Sequence, residues 1–200
     1  MAGVPKIWQS TPRATGDVQG LADALGVSEI TATLLSQRGF SDPDLARRFL
    51  YPSLDHLLDP FRLADMGRVV DRLLQAIAQQ ERIAVHGDYD VDGVTSTVIL
   101  RRALELLGAN VTHFIPERFR DGYGLQPASL ERLHAEGVRV VISVDCGIRG
   151  VEAAARATAL GLDLIITDHH EPDVDLPAAY AVVNPKRHDC HYPDKNLAGV

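Results

Sequence analysis

Residues Arg82–Ser96 read Arg-Ile-Ala-Val-His-Gly-Asp-Tyr-Asp-Val-Asp-Gly-Val-Thr-Ser, or RIAVHGDYDVDGVTS. The run Ile83, Ala84, Val85 is short and apolar, the pattern of a buried strand. After Gly93 the apolar positions Val94, Val98, Ile99 and Leu100 predict a helix. His86, Asp88, Asp90 and Asp92 therefore fall between the C-terminal end of a strand and the start of a helix. In open α/β sheets that edge is where ligands bind. The three Asp alternate, and in extended chain they project to one side. Like charges at such close range resist ionisation unless a cation is present, so the stretch predicts a metal site. An N-cap accounts for Asp92 alone. The D-x-D-x-D-G spacing also opens a calcium loop, but position 12 falls on Ile99 and the preceding element reads as a strand, so an EF-hand is excluded.

Outward from this stretch the chain alternates. A helix is predicted over Asp65–Gln80 on the N-terminal side, and one over Val94–Leu107, closed by Gly108, on the other. Strands follow at Val111–Ile115, Val138–Val144, Leu162–Thr167 and Tyr180–Val183, with helices at Pro127–Ala135 and Val151–Leu160. This rhythm predicts a parallel α/β sheet flanked by helices and joined by right-handed crossovers. Upstream, residues 1–16 read as a flexible leader, and short helices are expected over Asp17–Leu25, Glu29–Arg38 and from Ser41 to before Pro52. We expect a helical lead-in over residues 1–62 and a catalytic domain over 63–200.

Two more strands run straight into chemistry. Val144 leads to Asp145-Cys146-Gly147, and Ile165-Ile166-Thr167 leads to Asp168-His169-His170. A parallel sheet places all three ends along one edge, which packing alone does not explain. The Asp and His mixture suits Mn²⁺ or Mg²⁺, imidazole favouring Mn²⁺. Two such ions about 4 Å apart activate a water and hold a phosphoryl oxygen. No Walker-type glycine loop is present.

Other residues read more plainly. Cys146 is expected to be a buried small residue, since no paired base is apparent to activate it. His188-Asp189-Cys190-His191 matches no common zinc spacing and reads as a solvated loop. His56, His113 and His134 read as incidental. The loop Arg118-Phe119-Arg120-Asp121-Gly122-Tyr123-Gly124 combines cations, aromatics and glycines, a composition able to meet phosphates and stack on bases. Arg118, Phe119 and Tyr123 are its candidate DNA contacts.

Composition sets the frame. Of 200 residues, 46% are hydrophobic and 24% charged, a globular profile that permits one or two domains. There is no membrane-length apolar run and no secretory h-region in MAGVPKIWQSTPRATG. Two cysteines fit a reducing cytoplasm. The net charge of −7 argues against bulk nucleic-acid binding only if the acids are spread over the surface rather than gathered on cations. The chain stops at Asn196–Val200 without a cap or polar tail, and we expect it to be an N-terminal fragment.

HGDYDVDG, VDCG and TDHH, in this order, resemble the first three motifs of the DHH phosphoesterase family. ERIAVHGDYDVDGVTS, IPERFRDGYGL, VDCGI, NPKRHDCHYPDKNLAGV and the upstream FLYPSLDHLLDPFRLADM are similar to its RecJ branch, a resemblance covering roughly residues 40–200. That branch comprises metal-dependent exonucleases that degrade single-stranded DNA 5′→3′ in recombination and repair. The resemblance implies that His86 and Asp90 hold one ion and Asp92 the other, that Asp145 bridges both, and that His169 is a further ligand. It implies His170 beside the phosphoryl group, and Asp88 and Asp168 as supports to the ligands. It also implies a further Asp ligand downstream of LAGV, and single-strand-binding protein and a helicase as partners. A fragment without that Asp is not expected to complete the site. The alternatives are a phosphoesterase of small substrates (oligoribonucleotides, pyrophosphate or cyclic dinucleotides) and a non-catalytic scaffold of the same fold, which is expected to have lost ligands that are retained here.

Overall fold

The computed structural model describes residues 16–122 and 124–200. The expected leader falls almost wholly outside the described residues, and so does Tyr123. The chain divides into two compact units, residues 1–58 and 59–200; the sequence reading placed the boundary between residues 62 and 63.

The first unit holds α1 (Val18–Leu25), α2 (Glu29–Gln37) and α3 (Pro43–Leu50). Each begins where the sequence supplies a cap. The side chains of Asp17, Ser28 and Asp42 accept the amides of Gly20, Thr31 and Leu45, satisfying donors that the first helical turn leaves free. Leu21, Ala22, Ala32, Leu35 and Ala46 form its core.

The second unit holds all the candidate site residues. Its elements are α4 (Met66–Ala78), β1 (Ile83–His86), α5 (Val91–Leu106), β2 (Val111–Phe114), α6 (Pro127–Ala135), β3 (Val140–Val144), α7 (Val151–Leu160), β4 (Asp163–Thr167) and β5 (Ala181–Val183). The strands form one parallel sheet in the order β2-β1-β3-β4-β5. β1 and β3 are buried at every residue, as expected of strands covered on both faces. Alternate side chains feed two apolar layers. Val85, Ile142 and Ile165 meet Val69 and Ala76 of α4 and Leu104 of α5. Ala84, Val141, Leu164 and Ile166 meet Leu130 and Leu133 of α6 and Ala154 and Ala157 of α7.

The order places β1, β3 and β4 side by side, and these are the strands that carry the three acidic ends. The chain leaves β1 in one direction toward β2 and returns past it to β3. That reversal opens a crevice beyond the strand C-termini, the position where doubly wound sheets of this order take their ligands.

The fold class agrees with the sequence reading, but two local expectations are corrected. The helix after β1 begins at Val91, not after Gly93. Asp90 is its N-cap, accepting the amide of Gly93 at 3.0 Å, and Asp92 lies in the first turn. The three Asp therefore do not project together from extended chain. Gly93 lets the helix begin early, because a Cβ there would lie 2.5 Å from the Asp88 amide. The last strand starts at Ala181, since the Tyr180 amide bonds to Leu164 as a lead-in.

Candidate metal centre

β1 ends on His86, which is completely buried. Its Nε2 has no hydrogen-bond partner. Burial holds its pKa down to about 4, so at neutral pH the ring is uncharged, the form that ligates a metal. The turn places Asp88 beneath the surface, 1% exposed. Its Oδ1 accepts the Tyr89 amide at 2.7 Å, while Oδ2 has no partner. A buried carboxylate oxygen and a buried imidazole nitrogen without donors are costly unless something outside the chain meets them.

β3 delivers Asp145, 2% exposed and held at φ 61°. Few non-glycine residues take this left-handed backbone, and Asp is one that tolerates it. β4 delivers Asp168, whose carboxylate holds the whole turn. Oδ1 accepts the amides of His169 and His170, at 2.7 and 3.0 Å, and His170 Nδ1 at 2.7 Å. Oδ2 accepts the Ile148 amide of the neighbouring loop at 2.9 Å. With its Nδ1 proton committed to Asp168, His170 keeps Nε2 as a lone pair.

Among the described residues, one group of potential ligands lies with its donor atoms within 4.8 Å of one another: Asp145, His169 and His170. Asp145 Oδ1 is 3.1 Å from His169 Nε2. His169 Nδ1 lies 2.9 Å from the Leu197 carbonyl, which only accepts, so in the neutral ring Nδ1 carries the proton and Nε2 is a lone pair. Two acceptors then face each other, which explains why Asp145 Oδ1 finds no donor. A proton or a cation resolves this. Adjacent ligands on an octahedral ion with bonds of about 2.1 Å lie roughly 3 Å apart, so the observed spacing fits one edge of such a shell. Burial and the nearby charge of Asp90, with a further contribution from Asp92, push Asp145 up to about 6 despite the two histidines. The donor set is thus short of positive charge and fits a divalent cation.

The two shifted groups titrate with opposite effect. Between about 4 and the ordinary 6.5 the unfolded chain protonates His86 and the folded chain does not, so stability rises with pH. Between the ordinary 3.8 and about 6 the folded chain retains the Asp145 proton, so stability falls as pH rises. Asp145→Asn removes only the second effect. In chelator, the melting temperature of this variant minus that of the parent is expected to grow from pH 4 to pH 6. Melting curves at three pH values check this, and a constant difference refutes the assignment.

His86, Asp88, Asp90 and Asp92 are not in the close group. Arg118 stands over the Tyr89 ring at 5.6 Å, so the loop after β2 reaches the turn after β1. Phe119 is fully exposed. Cys146 is buried and its thiol is pushed well up by burial, as a packing residue should be. In the 188–191 loop both histidines are exposed, but Cys190 is buried rather than solvated.

Two contributors were missed. Asn184, fully buried, donates from Nδ2 to the His170 carbonyl at 2.9 Å; a polar residue directly after the apolar run Ala181–Val183 was the available signal. A pocket of about 450 Å³ opens beside His169 and His170, lined by Gly147, Arg149, Glu171 and Lys186 among others. It is formed by the segments after β2, β3, β4 and β5, and no single stretch of sequence marks it.

The family model for the DHH family, N-terminal domain, matches residues 82–200. The chain is 43% identical over 193 residues to the single-stranded-DNA-specific exonuclease RecJ of Bacillus subtilis, covering 96% of this chain and 25% of that protein. It is 42% identical over 140 residues to RecJ of Escherichia coli, covering 70% and 24%. Among solved structures, exonuclease RecJ bound to manganese superposes with a TM-score of 0.64 at 36% identity, covering 72% of this chain and 36% of that one. RecJ of Thermus thermophilus in complex with Mn²⁺ gives a TM-score of 0.64 at 32% identity, covering 91% and 25%. The chain thus spans about a quarter of the length of these curated relatives.

Proposed function

Because the chain belongs to the DHH family, we propose that it forms the helical lead-in, residues 1–62, and the catalytic domain, residues 63–200, of a 5′→3′ exonuclease. Its substrate is single-stranded DNA met in recombination and repair, its cofactor Mn²⁺ or Mg²⁺ as a pair of ions, and its compartment the cytoplasm. Single-strand-binding protein and a helicase are the partners such an activity calls for. The observation that carries this reading is the pair of facing acceptors, Asp145 Oδ1 and His169 Nε2, 3.1 Å apart at the sheet's ligand edge.

His86, Asp90, Asp92, Asp145 and His169 would hold the ions. Divalent cations bound there would supply charge stabilisation at a phosphoryl oxygen and a water made nucleophilic at neutral pH. Asp168 fixes His170 so that its free Nε2 meets the phosphoryl group, and Asp88 supports the turn that presents Asp90. Burial keeps the imidazole of His86 neutral. Arg118 clamps a backbone phosphate with its planar fork, and Phe119 and Tyr123 offer rings to bases. Phe119, fully exposed, is supported in that role by having no packing role of its own.

The test offers the full-length protein with Mn²⁺ a long 5′-phosphorylated single strand, a short oligoribonucleotide, pyrophosphate and a cyclic dinucleotide. Degradation of the long strand from its 5′ end is expected. Cleavage of only the small substrates points instead to a small-substrate phosphoesterase, and cleavage of none, with metal bound, to a scaffold. In the same protein with Ca²⁺, Arg118→Ala is expected to weaken single-strand binding for every sequence and to reduce the salt slope by about one.

A further inference from the structure

We propose that the main chain of Leu197–Gly199 is a positioning element of the metal centre and that residue 199 must be glycine for a cation to be held. This rests on the reading of Asp92, Asp145 and His169 as ligands. The segment touches all three, which follow β1, β3 and β4: Asp92 in the first turn of α5, Asp145 and His169 in loops.

The first contact sets a tautomer. The Leu197 carbonyl lies 2.9 Å from His169 Nδ1 and can only accept, so a proton sits on Nδ1 and Nε2 is the atom turned toward Asp145. A main-chain acceptor at this place does what a carboxylate does for other ligating histidines: it fixes ring orientation and raises basicity. The second contact is the Gly199 amide, which donates to Asp92 Oδ2 at 3.3 Å. One oxygen of Asp92 is thereby occupied and the other is left for a cation.

The third contact is one of space. A Cβ built on Gly199 lies 2.2 Å from Asp145 Oδ1, 2.5 Å from its Cγ and 2.9 Å from its Cβ. Such overlap is cheap only if the neighbour can swing away. Asp145 is 2% exposed, has a left-handed backbone, and its amide is bonded to the Thr167 carbonyl at 3.0 Å. Gly199 itself is not in the left-handed region. Its backbone is therefore open to any residue, and the demand for glycine comes from the carboxylate beside it. A methyl group at 199 pushes on the atom that faces His169 and disturbs the spacing that fits a cation.

The test compares Gly199→Ala with Leu197→Ala in the full-length protein. Leu197→Ala keeps the carbonyl. Mn²⁺ affinity, titrated by electron paramagnetic resonance, is expected to stay within about twofold of the parent in Leu197→Ala and to fall about 10- to 100-fold in Gly199→Ala. The melting temperature in chelator is measured alongside, and a loss of affinity without a matching loss of folding separates positioning from packing. A second readout needs no variant: imidazole nitrogen shifts of His169 in the metal-free parent are expected to show the proton on Nδ1. Equal Mn²⁺ affinity in Gly199→Ala and parent, or a neutral His169 ring with its proton on Nε2 and none on Nδ1, overturns the inference while leaving the metal centre intact. A parent that binds no Mn²⁺ overturns the metal reading itself.

Discussion

Full-length protein carrying Asp145→Asn is expected to cleave single-stranded DNA on the order of a thousandfold more slowly at saturating Mn²⁺, the scale of losing a group that stabilises transition-state charge. Asn keeps the shape of Asp and tolerates the φ of 61° seen at this position, so the backbone is not asked to move. What is lost is negative charge at the atom nearest His169 Nε2. The same variant is expected to melt higher than the parent in chelator at neutral pH. There the parent pays for an ionised, buried carboxylate next to Asp90 and Asp92. Activity down and metal-free stability up is the signature of a residue kept for its charge. A rate within tenfold of the parent shows that Asp145 is not shared between the ions.

The second large effect is expected at Asp168. Asp168→Ala leaves the amides of Ile148, His169 and His170 without their acceptor and frees the His170 ring. Each buried donor left unmade costs about 1–3 kcal/mol. Water can reach the exposed His170 side, so the losses do not simply add; a drop of about 3 kcal/mol or more in unfolding free energy is expected. Asp168→Asn is intermediate: its oxygen still serves the His169 and His170 amides, but its NH₂ group then faces the Ile148 amide, donor against donor. Denaturant unfolding ranks the three proteins, and single-turnover cleavage by the Ala variant reports the freed imidazole. Equal stability of Ala and parent shows that Asp168 does not hold the two loops.

This ranking also separates what local pattern reveals from what it hides. A carboxylate at the end of an apolar run is visible in sequence. Its four donors are not, since three are main-chain amides and one of those, Ile148, comes from another loop. Likewise Asp88, Asp90 and Asp92 were legible as a cluster. Their presentation was not, because Gly93 allows the helix to begin at Val91 and makes Asp90 a cap.

The sequence by itself determined the alternation of strand and helix, and with it a parallel sheet whose acidic ends share one edge. It also determined the kind of chemistry, since Asp and His at those ends suit a hard divalent cation. Both follow from local rules: apolar periodicity reports burial, and side-chain type reports ligand preference. Only the tertiary structure decided that β1, β3 and β4 are neighbours, and that Asp145, His169 and His170 form the close group while His86, Asp88, Asp90 and Asp92 lie outside it. It alone decided the left-handed backbone of Asp145 and the approach of Leu197 and Gly199. These depend on which distant segments pack together, and the groups that do the positioning are main-chain carbonyls and amides. Every residue carries those, so no residue type announces them.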